Sequence, residues 1–218
     1  TASTDNHAAG GNAAEHLFPL LEKKIGDKKI RIGVVSQEVN SLSITQRTSG
    51  FIDKMVELLN KKGIKTAVTG HDKFKNNVSE DEAKVVIEVR VPAQVDDAAG
   101  KTEASTVLEK EDTVAIYGSN EFAAKAIINA NGGFKESKLG ADKILAVGFD
   151  SGALQQDAIR KGIFVGSVTQ DPVQIGYQAV KLAVAAAKGE TVKDVDTGSK
   201  WYDAKNIDSD EIKALLYE

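Results

Sequence analysis

The sequence predicts an α/β protein: a doubly wound, mostly parallel sheet with helices on both faces. Three observations predict it. Short β-branched runs alternate along the chain with longer runs of helical period. The short runs are near-continuously apolar, as strands buried on both faces of a parallel sheet must be. The connections between the two kinds of run are mostly brief, which is the pattern of repeated βαβ units.

Taken in order, strands are expected over Lys29–Val35, Ile64–Thr69, Val85–Val91, Thr113–Tyr117, Lys143–Val147 and Phe164–Val168. After the first, Phe51, Ile52, Met55, Val56 and Leu59 recur at i+3/i+4 spacing and mark a helix, with Gly63 behind Lys61-Lys62 as its stop. The polar segment His71–Lys84 is long for a connection and is expected as a surface hairpin or loop. Ser119 precedes an expected helix Asn120–Asn131, which Gly132-Gly133 closes. Asp171-Pro172 reads as cap and first-turn proline of a helix ending near Lys188-Gly189, with an apolar stripe of Val173, Tyr177, Val180, Val184 and Ala187. The tail beyond Asp194 is expected to hold an extended stretch around Lys200–Ala204 and a short helix Asp210–Tyr217.

With 218 residues, 41% of them apolar, the chain can bury a proper core without staples. It has no cysteine, which excludes a disulfide scaffold, a thiolate metal site and a cysteine nucleophile. Its 28 Lys and Arg are scattered and the net charge is −4, so nucleic acid is not an expected partner. No apolar run approaches the ~18–20 residues of a membrane-spanning helix. There is no G-x-G-x-x-G, no P-loop and no G-x-S-x-G elbow. His7, His16 and His71 pair with nothing at metal or triad spacing; His7 and His71 read as loop residues and His16 as a surface helix residue. Glu80-Asp81-Glu82 reads as a solvated face. No cofactor, metal site or catalytic residue is therefore expected.

What remains is a set of polar residues at the carboxyl ends of strands, where open α/β sheets hold their ligands. Arg47 starts the helix after the first strand; Asn120, Asp150 and Gln170 follow the fourth, fifth and sixth. Singly, Asn120 or Asp150 would be a helix cap, Arg47 a surface charge and Gln170 a loop residue. Together they offer a planar guanidinium fork, a carboxylate and two amides, a set that suits vicinal hydroxyls. No pair among them makes a nucleophile with its base, so this is the inventory of a binder.

The runs TDNHAAGG (4–11), QRTSGF (46–51), YGSNEFAAKAI (117–127), VGFDSG (147–152) and VTQDPVQIGYQAV (168–180) carry a resemblance. In order and spacing they resemble the sugar-binding proteins of bacterial ABC transporters. That group has the ribose/galactose-type periplasmic-binding-protein fold, which the sensor domains of LacI-type repressors share. The resemblance implies a sugar held in a cleft between two Rossmann-like α/β lobes. Arg47, Asn120, Asp150 and Gln170 match sugar-contacting positions, and Asp5 matches one more weakly. Thr169–Asp171, the first few residues and the tail near Lys200–Asp203 match hinge crossings.

The resemblance also implies an ABC transporter permease as partner. It implies a periplasmic or extracellular location, including that of a cell-surface lipoprotein. The family places a whole lobe ahead of its TDN-type motif. The expected division is therefore a carboxy-terminal sugar-binding lobe over 1–170, a helix and strand over 171–200 that belong with the amino-terminal lobe, and a tail over 201–218 returning to the first. Where family members often carry an aromatic that stacks on the sugar, Gln94-Val95 follows Pro92-Ala93.

Four expectations follow. The four strand-end residues converge at one sheet edge. Replacing Asp150 weakens binding but costs the fold only ~1 kcal/mol through a lost cap. The 173–184 stripe packs on a second chain or on a rearranged tail. The chain by itself binds sugar weakly or not at all. The competing readings are the effector domain of a LacI-type repressor and, behind it, an enzyme built on a doubly wound sheet.

Overall fold

Near-continuous apolar runs and period-3.6 apolar patterns sort into strands and helices that alternate along the computed structural model, which describes residues 1–217. In chain order these are β1 (Ala2–Ser3), α1 (Asn6–Glu22), β2 (Ile30–Val35), α2 (Leu42–Lys61), β3 (Thr66–Thr69) and β4 (Val85–Arg90). There follow α3 (Asp97–Leu108), β5 (Thr113–Gly118), α4 (Glu121–Asn131), β6 (Leu145–Phe149) and α5 (Ala153–Arg160). The last are β7 (Gly166–Gln170), α6 (Pro172–Ala187), β8 (Val195–Asp196), β9 (Ser199–Tyr202) and α7 (Asp210–Lys213).

Seven strands form the central sheet in the order β3-β4-β2-β5-β6-β7-β9. All neighbours run parallel except β9, which pairs antiparallel with β7. Side chains alternate between the faces, and both faces are covered. On one face Leu17, Leu21, Phe51, Met55 and Leu59 of α1 and α2 pack on Ile32, Val34, Tyr117, Val147 and Phe149. On the other, Val107, Leu108, Ile127 and Ile159 of α3, α4 and α5 pack on Val35, Ile116 and Ala146. Burial on both sides explains why the strands read as continuous apolar runs.

Helices α1 and α2 cross at van der Waals contact of their backbones. A Cβ on Gly10 would run into the Arg47 carbonyl, and a Cβ on Gly50 into the His7 carbonyl. Only glycine at these two points allows the approach. It brings the first turn of α1 alongside the first turns of α2.

The segment 71–84 is a loop without regular structure, as expected, and it has a task. Asn76 lines the outer edge of β3: its Oδ1 accepts from the Val68 N–H (3.0 Å), its Nδ2 donates to the Thr66 carbonyl (3.0 Å), and its own N–H donates to the Val68 carbonyl (3.2 Å). A free sheet edge is thereby closed.

Several expectations are corrected. Strands β6 and β7 lie two residues further along than Lys143–Val147 and Phe164–Val168. Their first apolar residues, Ile144 and Phe164, pack on the core from the loops ahead of each strand. Asn120 is the cap of α4 and not its first residue. The helix expected over Asp210–Tyr217 is a single turn, Asp210–Lys213. His7 stands in the first turn of α1 and not in a loop, 2.9 Å from Asp53.

The 173–184 stripe of α6 is not covered by the tail. Val173, Tyr177 and Val180 are each more than 60% exposed, and no residue of α6 is buried. The pair β1-β8 forms a small sheet of its own beside α6. The tail returns through β9 to the main sheet, with Ile207 and Ile212 joining the α3–α5 face. Glu218, the last residue of the expected 201–218 segment, lies outside the described residues.

Gly10→Ala should therefore lower stability by about 1–3 kcal/mol, because the helices must part. Gly11→Ala meets only ordinary contacts and should be neutral or stabilising by up to ~1 kcal/mol. Urea denaturation of the two variants checks the pair; equal effects would refute the close crossing.

Candidate functional site

Beyond Val35 and Gly118 the connections diverge. The chain leaving β2 passes to α2 on one face, while the chain leaving its neighbour β5 passes to α4 on the other. Such a switch point opens a crevice at the carboxyl edge of the sheet, and the ends of β6 and β7 lie along the same edge.

The polar residues meet there. The Asp150 carboxylate accepts from Arg47 Nη1 at 3.1 Å and from the Glu121 backbone N–H at 3.2 Å on Oδ2, and from Gln170 Nε2 at 2.7 Å on Oδ1. Arg47 donates Nε to Asn6 Oδ1 at 2.8 Å. Its guanidinium carbon lies 4.1 Å from the centre of the Phe149 ring, a cation–π contact on an apolar floor. Gln170 Oε1 accepts from Thr4 Oγ1 at 3.2 Å. Asn120 caps α4 by accepting from the Ala123 N–H at 3.0 Å, and its Nδ2 donates to Gln37 Oε1 at 2.6 Å.

The electrostatics rest on one pair. The Arg47 and Asp150 side chains are 8% and 12% exposed, so each charge has given up most of its water. Desolvation of that order is offset only by good geometry and by further hydrogen bonds on the leftover donors and lone pairs. Gln170, Asn6 and the Glu121 N–H supply those bonds, and Glu121 N–H also brings the positive end of α4 to the carboxylate. Beneath, Tyr117 stacks on Phe51 with ring centres 4.2 Å apart. Burial pushes its phenol well above the ordinary range, so it stays neutral. Tyr117 Oη and Ser119 Oγ are buried at the end of β5 without a hydrogen-bond partner among the described residues.

Asp150 has a left-handed backbone, φ +71°, and among the described residues no other non-glycine has a positive φ. Aspartate tolerates this region better than most residues, but the surroundings must hold it there.

Of the residues named from sequence, Arg47, Asp150 and Gln170 are joined directly. Asn120 stands beside them through Glu121, its neighbour in sequence, whose N–H is on Asp150; its own amide is bonded to Gln37. Asp5 does not join. Its Oδ1 caps α1 by accepting from the Ala8 N–H at 2.9 Å, and its N–H donates to Asp196. One residue on, Asn6 reaches Arg47. Sequence reasoning missed Asn6, Gln37 and Thr4. Gln37 follows the end of β2 by two residues, so the strand-end criterion that found Asn120 would have found it. His16 stacks on Trp201, ring centres 4.5 Å apart, on α1 away from this edge.

Known proteins agree with this architecture. The periplasmic binding protein domain family matches residues 1–191. The chain belongs to that family. A solved structure described as an ABC transporter, LacI family transcriptional regulator from Brachyspira murdochii is similar at 38% identity, with a TM-score of 0.83, over 100% of this chain and 66% of that one. An ABC transporter solute binding protein from Agrobacterium vitis with bound D-fucose is 25% identical, with a TM-score of 0.75, over 99% of this chain and 64% of that one. A carbohydrate transporter solute binding protein from Agrobacterium radiobacter, in complex with D-arabinose, is 25% identical, with a TM-score of 0.74, over 99% and 65%. The chain thus spans just under two thirds of the length of each. No match is found among curated proteins.

The periplasmic-binding-protein resemblance is borne out, and with it the α/β class. The expectation that Asp150 is cheap to replace is corrected, because Arg47 depends on it. Asp150→Ala should lower stability by about 3–5 kcal/mol, leaving a buried cation unpaired. Arg47→Leu/Asp150→Asn removes both charges and should lose less than Asp150→Ala alone. Chemical denaturation of both variants checks this; a larger loss in the double variant would show that the charges are not coupled.

Proposed function

We propose that this chain is the carboxy-terminal part of a solute-binding protein that holds a monosaccharide-type sugar for import by an ABC transporter. The observation that carries the reading is the Arg47–Asp150–Gln170 cluster at the switch-point edge of a periplasmic-binding-protein sheet. Sugar hydroxyls both donate and accept. Asp150 Oδ1 would accept from one hydroxyl, while the remaining N–H groups of Arg47 and the amides of Gln170 and Asn120 would donate to others. Phe149 backs the guanidinium from below, so the polar groups present upward as a rigid floor.

The D-fucose and D-arabinose bound by the two Agrobacterium proteins support the substrate class. The protein acts by binding, not by catalysis. Its place is periplasmic or extracellular, as a free protein or a surface lipoprotein, and among the described residues no helix is long and apolar enough to cross a membrane.

In this reading a second lobe closes the sugar from the other side. The bare stripe of α6 and the separate β1-β8 pair, segment 171–200 in particular, belong with that lobe. The solved relatives are longer than this chain by about the size of one such lobe. A second reading, effector sensing by a LacI-type repressor, is favoured by the description of the Brachyspira murdochii structure alone. Permease and ATPase genes beside this one would favour import; a helix-turn-helix in the same chain would favour the repressor.

Calorimetric titration with D-arabinose, D-fucose and related monosaccharides tests the reading. Gln170→Ala should weaken the best of them about tenfold, the worth of one or two net hydrogen bonds. Unchanged affinity would remove Gln170 from the site, and no sugar binding in a two-lobed protein would refute the function. The 218-residue chain alone should bind roughly a hundredfold more weakly, having lost about three such bonds from the second lobe. Micromolar affinity in a monomer of this chain would show that one lobe suffices.

A further inference from the structure

The main chain of Asp150 is held from more directions than its carboxylate. Its N–H donates to the Val168 carbonyl at 2.7 Å. Its carbonyl oxygen accepts from Tyr202 Oη at 2.8 Å, Ser167 Oγ at 3.0 Å and Gln155 Nε2 at 3.3 Å. A carbonyl has two lone pairs, and three donors on one oxygen is a crowded arrangement. The three come from β9, β7 and α5, and lie 52, 17 and 5 residues along the chain from Asp150.

The shortest of the three comes from the tail. Tyr202 closes β9, the antiparallel edge strand, and is fully buried. Burial pushes its phenol above the ordinary range, so the hydroxyl stays a donor. The tail engages the next residues too. Ser151 Oγ donates to the Leu215 carbonyl at 3.4 Å, and Gln156 Nε2 bridges the Ser151 and Tyr217 carbonyls at 2.7 and 2.8 Å. Tyr217 Oη donates to Glu121 Oε2 at 3.2 Å, and the Glu121 N–H is itself on Asp150 Oδ2. The tail thus clasps the Asp150–Ser151 turn from below and from the side.

A left-handed aspartate persists only where its surroundings over-determine it. Turned back to φ near −65°, Asp150 would point its carboxylate away from Arg47 and Gln170. We propose that Tyr202 is a positioning residue. By donating to the Asp150 carbonyl from the carboxy-terminal strand, it holds the left-handed turn that aims the carboxylate, and so sets ligand affinity without touching the ligand. This rests on the reading of Asp150 as a ligand-contacting residue.

Tyr202→Phe keeps the ring and removes the donor; Tyr202→Phe/Ser167→Ala removes two of the three. The intraresidue HN–Hα NOE of Asp150, measured by NMR in labelled protein, reports the turn with no sugar present, because those two protons lie closest together at positive φ. It should weaken in Tyr202→Phe and further in the double variant. Affinity for D-arabinose, or for whichever monosaccharide the parent protein binds best, should fall about tenfold in Tyr202→Phe, with kinetics of release faster by a similar factor. A merely structural tyrosine would lower the melting temperature and leave both readouts where they were. An unchanged NOE in the double variant, or a weakened NOE with unchanged affinity, overturns the proposal. If the parent protein binds no monosaccharide, the sugar reading fails instead, and the NOE alone decides whether Tyr202 holds Asp150.

Discussion

A carboxylate and a guanidinium withdrawn from water at a sheet edge must find each other, and the Arg47–Asp150 pair is the contact on which the rest of this edge depends. At 3.1 Å, with both side chains about nine-tenths buried, neither charge can be left alone without a penalty of several kcal/mol. Satisfying the pair dictates where its neighbours go. Gln170 ends β7 with its amide on Oδ1, the α4 N-terminus turns its first N–H to Oδ2, and Asn6 takes the Nε proton of Arg47. Four separate elements are thereby fixed relative to one another by one ion pair.

That geometry would be out of reach if α1 and α2 stood at the usual 8–10 Å of packed helices with large side chains between them. Glycines at 10 and 50 let the backbones touch, which sets the first turn of α1 directly over Arg47. The ring of Phe149 then supplies the floor. It is the last residue of β6, and its position is set by the strand's register with β7, in which Phe149 faces Val168. The site is thus an outcome of two packing facts, a close helix crossing and a strand register, neither of which involves a polar residue.

The same two facts explain what was legible in the sequence. The alternation of runs gave away the sheet and the helices on both faces, since burial on two sides leaves a continuous apolar signature. Arg47, Asn120, Asp150 and Gln170 were legible because strand ends are where such sheets gather polar groups. The register was not. Ile144 and Phe164 are as apolar as strand residues, yet they pack from loops, so periodicity placed β6 and β7 two residues early. The choice of Asn6 over Asp5 was equally hidden. Both suit a helix start, and what separates them is that the Asp5 carboxylate caps α1 while Asn6, one residue on, reaches Arg47 across the close helix crossing. The short α7 failed for the opposite reason: Leu215 is buried from a turn and Leu216 packs half-buried beyond it, giving a helical pattern where only one helical turn exists.

The polar groups of this edge already answer one another, and that shapes how a ligand could be held. Gln37 is bonded to Asn120, Gln170 to Thr4 and Asp150, Arg47 to Asn6 and Asp150. Long side chains bound in this way have lost their rotamer freedom on folding, at up to ~2 kcal/mol each, so little of that cost falls on binding. What a ligand gains is then close to its full complement of new bonds to the unused donors and lone pairs. The limit of such a floor is that it reads a ligand from one side. Affinity beyond the few kcal/mol that three or four net hydrogen bonds supply has to come from a surface facing it. In the proposed two-lobed reading, the bare apolar face of α6 is the element that would fasten that surface.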